Sequence, residues 1–257
     1  MGRSFPSVSV VIKTYDDSEM PGQRRRFATL KELLAQSLQA LDEQTLRCHE
    51  VLVVDSSVGD GIAEVIQQHS PTSQAPIRRV PLAQEDFSHP RALNLGVQRA
   101  EGEIVANLSG DATPANASWL ERLVAPLDNR EVAGAFSRQV ARPGMSLSWA
   151  ERFRLWWRYR STSTTLRRAD HLFSNAACAF RRELALEIPF DECLVELEDY
   201  AWAREVQRQG YAIAYVGDSE VFHAHGASSL RTAWRMAYYV YLRMRLDAGL
   251  RSPQQEN

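Results

Sequence analysis

Lysine is almost missing from this sequence. Lys13 and Lys31 are the only two among 30 basic residues, so arginine carries nearly all the positive charge. A guanidinium fork matches phosphate oxygens in pairs, which suits anion recognition, although codon bias in a GC-rich genome is the simpler cause. An excess of either charge is missing too: the formal net charge is −2, so no global basic field recruits nucleic acid. Cysteine is scarce. Cys48, Cys178 and Cys193 form no CxxC pair and read as small buried residues of a reducing compartment, not as a disulfide framework or zinc site. No stretch approaches the roughly 18 uninterrupted apolar residues of a spanning helix. The early apolar run is too short for a signal peptide, so the expected location is cytoplasmic. Neither an internal repeat nor a linker stands out. With 257 residues, 44% of them hydrophobic and 24% charged, the chain has room for one well-cored domain and a modest extension.

What is present is alternation. SVSVVIK at 7–13 is a β-branched run of strand length, followed by a polar turn. Phe27, Leu30, Leu33, Leu34, Leu38 and Leu41 then recur at spacings of three and four, one apolar stripe of a helix. EVLVVD at 50–55 is apolar almost throughout, as a parallel strand buried on both faces should be. Further expected elements are a helix from Ile62, a strand over 77–81, a helix over 91–100 and a strand over 103–108. Ser118 and Glu121 have the spacing of a capping box for the next helix. This order predicts an α/β fold with a mostly parallel, Rossmann-like sheet flanked by helices. In the second half, strands are expected over 132–140, 172–180 and 211–216, and a helix over 198–209. An Arg/Trp-rich segment separates the first two strands. A helix over 231–250 reads as an amphipathic C-terminal extension.

Ligands of such sheets bind beyond the carboxyl ends of strands, where four polar groups collect. Asp55 closes a buried strand and Asp60 follows. Asp111 closes another, where one carboxylate can hold a divalent ion that neutralises a diphosphate. Glu198 and Asp199 open a helix. His223 and His225 alternate on an extended segment, so they face opposite ways. Each has a plain alternative: a turn-forming aspartate, an acidic first turn favoured by the helix dipole, a histidine satisfied in the core.

The ordered combination is more specific than its parts. EVLVVDSSVGDG, FSHPRALNLGVQRAEGEIVANLSGDATPANASWLERLVAPL, FSNAACAFRRE through LVELEDYAWAREVQRQGY, and VFHAH resemble glycosyltransferase family 2 over about residues 7–230. The bacterial rhamnosyltransferase branch is the most similar in appearance. The resemblance implies a GT-A fold, inverting chemistry and Mg²⁺ or Mn²⁺ as cofactor. It places Thr14, Tyr15, Asp55 and Asp60 around the nucleotide, with His89, Arg91 and Asn94 on the donor side. Asp111 falls at the last position of the family's DxD metal motif, with His223 or His225 as a further metal or diphosphate ligand. Asp199 falls at the general base, beside Glu198 as the group orienting the acceptor or the base. Ser109 stands where the first DxD aspartate is usual, and Pro90 and Leu93 replace a glycine and an arginine frequent in the rhamnosyltransferase branch.

The resemblance also implies a domain at 1–230, with a nucleotide-binding half to about 115 and an acceptor half over 116–230, followed by the helix and tail at 231–257. Its partners would be a nucleotide-sugar donor, dTDP-rhamnose or a UDP-sugar, and a glycan, lipid-linked or other hydroxyl acceptor. Trp156 and Trp157, with Trp149 and Tyr159, lie where the family's acceptor loop falls, although core packing explains such a cluster equally. The 231–250 helix suits contact with the inner face of a membrane, or docking on the domain or a homodimer partner. Two other classes stay open. One is a non-catalytic nucleotide-sugar or glycan-binding module that kept the fold. The other is a nucleotidyltransferase, which would carry the glycine-rich loop that Thr14-Tyr15-Asp16-Asp17 lacks.

Overall fold

A computed structural model of the chain describes residues 6–14, 29–194, 196–224 and 229–249. Tyr15, His225 and the residues at 15–28 fall outside the described residues. The expected strands β1 (Val8–Thr14), β2 (Glu50–Asp55), β3 (Ile77–Pro81) and β4 (Ile104–Ser109) run parallel in the order β3-β2-β1-β4. Their helices are α1 (Leu30–Asp42), α2 (Gly61–His69) and α3 (His89–Arg99). Beyond β4 the sheet becomes mixed. β8 (Ala177–Arg181) lies antiparallel between β4 and β6 (Val132–Val140), and β6 pairs in parallel with β9 (Ala212–Phe222). Two short strands, β5 (Thr113–Pro114) and β7 (Thr165–Arg167), pair antiparallel with β9. The remaining helices are α4 (Trp119–Val124), α5 (Trp149–Tyr159), α6 (Arg182–Glu187), α7 (Glu198–Arg208) and α8 (Ser229–Asp247). The α/β fold with a C-terminal helix is therefore the one that forms, its parallel character concentrated in the first half.

Strand alternation sorts the core into two layers. Val10, Ile12, Val53, Ala106 and Leu108 face α1, α2 and α4, where they meet Leu34, Leu38, Ile62 and Trp119. Val11, Leu52, Val54, Val105 and Cys178 face α3, α6 and α7, where they meet Leu93, Leu184 and Trp202. Burying each large apolar side chain contributes about 1.5–3 kcal/mol before the entropy of ordering is set against it. The second layer is tight where α3 crosses β1. A Cβ on Gly96 would lie 2.4 Å from Val11 Cγ1, so glycine sets the helix-to-sheet distance there. Finally α8 packs on α5 and, through Leu242 against Leu197 and Tyr200, on α7.

Local expectations fail where tertiary contacts outrank sequence pattern. The Ser118/Glu121 capping box does not form: Ser118 Oγ bonds Asn116 Oδ1, and Glu121 accepts from Thr45 Oγ1 instead. Thr29 and Glu32 cap α1 reciprocally in its place. Cys178 is buried but Cys193 is exposed and Cys48 half-buried, so the cysteines do not share one environment. The strand expected from Leu172 begins only at Ala177, because the Phe173 and Asn175 carbonyls accept from side chains, Arg158 of α5 and Asn107 of β4. The Arg/Trp-rich segment forms helix α5, capped by Ser148 on Glu151 N. β9 runs past Val216 to Phe222 through a register shift opposite Ser137 and Arg138.

Candidate functional site

The polar groups that end the strands on the α3/α7 side of the sheet form one connected cluster. Asn107 is fully buried on β4 and donates Nδ2–H to Asn175 O at 2.6 Å. Asn175 in turn holds both acids of α7: its backbone N–H reaches Asp199 Oδ2 at 3.4 Å, and its amide reaches Glu198 Oε1 at 3.2 Å. Those acids are launched by Leu197, which sits in the left-handed region with φ 67°. A branched side chain there costs on the order of 1–3 kcal/mol, a strain kept where it aims a functional pair. Burial, then the adjacent Asp199 charge, pushes the Glu198 carboxyl up to about 7, against the opposing pull of Lys13 and Asn175.

At the other end of the cluster Ser109 Oγ donates to Asp111 Oδ1 at 2.8 Å. His223 Nε2 stands 3.4 Å from that same oxygen, while its Nδ1 faces Gln139 Oε1 at 3.1 Å. Gln139 is fixed by donating Nε2–H to Ser174 Oγ at 2.9 Å. Its carbonyl oxygen thus selects the Nδ1–H tautomer of His223, and the Nε2 lone pair is turned towards Asp111. Two acceptors facing one another are reconciled by a proton or a cation. Among the described residues no three His, Cys, Asp or Glu side chains gather around one point, so protein ligands alone do not complete an ion's shell. One carboxylate and one imidazole, completed by substrate phosphate oxygens, is a donor set that fits Mg²⁺ or Mn²⁺.

Lys13 lies on the same face, at the end of β1, in register with Ser109. It is 5% exposed, and burial depresses its ammonium pKa while Glu198, Cys178, Asp199 and Asp111 pull it back up. Half-buried Arg142 is anchored by Gln36 Oε1 at 2.9 Å and Thr113 Oγ1 at 2.6 Å. Burial lowers its pKa and the field of Asp111 opposes that. Neither residue emerged from the sequence as a candidate. For Lys13 the signal was there: one of two lysines in an arginine-rich chain, at the carboxyl end of a strand.

The other expected site residues are placed unevenly. Thr14 and Asp55 are register partners on the opposite face. Thr14 Oγ1 is buried without a hydrogen-bond partner, an atom a ligand would satisfy. The Asp55 carboxylate is sealed from solvent by Arg79 Nε at 2.7 Å and Ser57 N–H at 3.0 Å. Asp60 is exposed at the start of α2. His89 keeps its ring at the cleft mouth against Phe87, and desolvation, with the Lys13 ammonium, holds its pKa down. Arg91 instead pairs at the surface with Asp86 at 3.0 Å. The Asn94 amide meets Phe190 O, Phe190 N and Glu192, so it clamps the loop before α7. Trp156 and Trp157 are 53% and 67% exposed, and their ring contacts are with each other, Phe153 and Arg160. The structure does not bring them to the carboxylates.

Comparison with known proteins bears on the family and the fold. The family profile described as "Glycosyl transferase family 2" matches residues 9–188. "Glycosyltransferase AglE" of Haloferax volcanii is 25% identical over 85% of this chain and 67% of its own length. "O-antigen chain rhamnosyltransferase RfbN" of Salmonella typhimurium is 26% identical over 73% of this chain and 61% of its own. Among solved structures, the mannosyltransferase PcManGT from Pyrobaculum calidifontis, in complex with GDP-Man and Mn²⁺, superposes with TM-score 0.62 at 22% identity. That match covers 85% of this chain and 57% of the other. The chain thus spans about two thirds or less of the length of the proteins it matches. With the profile covering well over half of the sequence and the fold agreeing, the chain belongs to glycosyl transferase family 2.

Proposed function

We propose that the protein is an inverting glycosyltransferase that moves a sugar from a nucleotide diphosphate, dTDP-rhamnose or a UDP-sugar, to a hydroxyl of a glycan or lipid-linked acceptor. The observation that carries this reading is the gathering of Asp111, His223, Lys13, Glu198 and Asp199 at one end of the sheet. The half up to about residue 115 would hold the nucleotide around Thr14 and Asp55, and 116–230 would present the acceptor. Asp199, half-buried and held by Asn175, accepts the proton of the acceptor hydroxyl. The new oxygen–carbon bond then forms on the anomeric face opposite the breaking bond to phosphate, and the nucleotide diphosphate departs. Glu198, its carboxyl pushed up to about 7 by burial, stands beside Asp199 and accepts from the Asn175 amide. Lys13 and Arg142 place positive charge where the departing diphosphate becomes more negative. A divalent ion held by Asp111 and His223 would supply further neutralisation of that charge.

The test begins with thermal unfolding against UDP, dTDP, GDP and CMP, each with Mn²⁺ and with EDTA. One nucleotide should raise Tm in a metal-dependent way, since a ligand binding only the native state stabilises it by mass action. Asp199→Asn should keep that rise and lose transfer by about 10²-fold or more, the scale of general-base loss. Undiminished transfer would remove Asp199 from the role; no rise with any nucleotide would refute the donor assignment.

A further inference from the structure

One buried amide connects the Asp111 side of the cleft to an ion pair on helix α5. Glu151 is fully buried, and Arg154 grips both of its oxygens, Nε to Oε2 at 2.9 Å and Nη2 to Oε1 at 2.8 Å. The guanidinium also donates, through Nη1, to Gln139 Oε1 at 3.4 Å. That same oxygen faces His223 Nδ1 at 3.1 Å. Gln139 is buried, so its amide takes its partners from the protein. An amide can sit either way round, and the neighbours decide which. Ser174 is indifferent: its hydroxyl accepts from Gln139 Nε2 at 2.9 Å, and would donate to Oε1 if the amide turned. The Asp111 carboxylate, 3.4 Å from His223 Nε2, favours the turned form. In that form the amide N–H would donate to Nδ1, and Nε2–H would donate to Asp111, a charge-assisted bond roughly twice as strong as a neutral one. Nε2 would then carry a proton where a metal ligand needs a lone pair. Arg154 forbids it. A guanidinium has donors only, so a turned amide would set N–H against N–H.

From this we infer that Arg154, held by Glu151, is a positioning residue for the ion site: it fixes the sense of the Gln139 amide and so keeps the Nε2 lone pair of His223 open to a divalent ion. The inference rests on the proposed role of Asp111 and His223 as ion ligands. It gives the buried ion pair of α5 a purpose beyond holding the helix. Partners one step behind a metal ligand act in this way, by setting which nitrogen of the imidazole bears the proton.

Nuclear magnetic resonance of the metal-free full chain, with its histidines labelled in ¹⁵N, tests this at a pH where an imidazole is neutral. The shift of Nδ1 separates a protonated nitrogen from a bare one, and loss of the signals in His223→Gln assigns them. Wild type should show a protonated Nδ1. Glu151→Gln/Arg154→Met, which removes both charges of the ion pair together, should show a bare one. Adding Gln139→Glu should restore the proton, because a carboxylate has no donor to turn inwards. With UDP, dTDP, GDP and CMP present together, the Mn²⁺ concentration giving half of the metal-dependent Tm rise should increase at least tenfold in the pair variant and return in the triple. A bare Nδ1 in wild type overturns the inference, as does a proton that stays on Nδ1 in the pair variant. So does an unmoved Mn²⁺ midpoint, or a triple variant that regains neither signal; a merely structural loss on α5 would not be reversed by Gln139→Glu. The resonance measurement needs neither nucleotide nor metal, so its failure is separable from failure of the glycosyltransferase reading.

Discussion

Replacing Lys13 with methionine removes a buried ammonium from among Glu198, Asp199 and Asp111 and leaves the shape of the β1 end nearly unchanged. Two unit charges several ångströms apart at an effective dielectric constant of about 20 interact by roughly 2 kcal/mol. At 1.36 kcal/mol per pKa unit, losing that attraction raises the pKa of Glu198 by about 1–2 units. Burial holds the Glu198 carboxyl up at about 7, with Lys13 among the groups pulling it down, so in the variant it should titrate at about 8 or above. The assay is kcat/KM against pH, whose acid limb reports the free enzyme's titration. In Lys13→Met the limb should move up by at least a unit, so activity at pH 7 falls about fivefold or more and partly returns by about pH 8.5. A pH-independent loss of about 10²–10³ accompanies it if the ammonium also faces the departing diphosphate. Lys13→Arg keeps the charge and should keep the limb. Tm is recorded alongside, because removing one partner from a buried charge cluster costs about 3–5 kcal/mol, whereas a loss of fold would not be restored by raising the pH. An acid limb in Lys13→Met that coincides with wild type would refute the electrostatic role. An equal shift in Lys13→Arg would refute it too.

Two stability measurements probe the frame around the cleft. Gly96→Ala should cost about 1–3 kcal/mol and lower Tm by several degrees, because its methyl would meet Val11 across the α3–β1 contact; an unchanged Tm would show that α3 can shift freely. Glu198→Gln should behave oppositely and only at high pH. The folded carboxyl pKa is raised to about 7 against an ordinary 4.5, so the native state bears no penalty below about pH 4.5 and the full penalty above 7. The variant should thus match wild type near pH 4 and be more stable by about 3 kcal/mol at pH 8 in chemical unfolding. Equal stability at both pH values would mean that Glu198 is not held in a desolvated site.

The layout of the fold was readable where one signal ruled the segment. β2 and β3 are runs with turn residues at both ends, and their limits coincide with expectation at 50–55 and 77–81. α1 declared itself through its leucine stripe. Elsewhere a local pattern competed with distant partners and lost. Ser118 and Glu121 have capping spacing, yet Thr45 and Asn116 take their side chains. Gly217-Asp218 reads as the end of a strand, yet β9 absorbs both by shifting register and so carries His223 to Asp111. In the site, the acids stood out only as an ordered combination, since each alone has a plain alternative as a turn-former or a first-turn residue. Asn175, Gln139 and Arg142 were not, since an amide or guanidinium becomes functional only through the partners the fold supplies. For the same reason the place of Asn94 beside a donor-side motif does not reveal that Phe190 engages both ends of its amide.

The replacement of a common aspartate by Ser109 acquires a physical meaning once Lys13 is placed. A second carboxylate at 109 would stand in register with a buried ammonium and beside Asp111. It would strengthen metal binding, but it would also neutralise the lysine and raise the pKa of every other acid in the cleft. Serine keeps the hydrogen bond to Asp111 Oδ1 without that charge. On the proposed reading the cleft then divides its work: Asp111 and His223 would hold an ion, and Lys13 with Arg142 would be fixed positive charge that needs no ion. A nucleotide diphosphate entering such a site meets cations from both directions. Part of its binding should therefore survive chelation, to a degree that a site built on two aspartates and no lysine would not match.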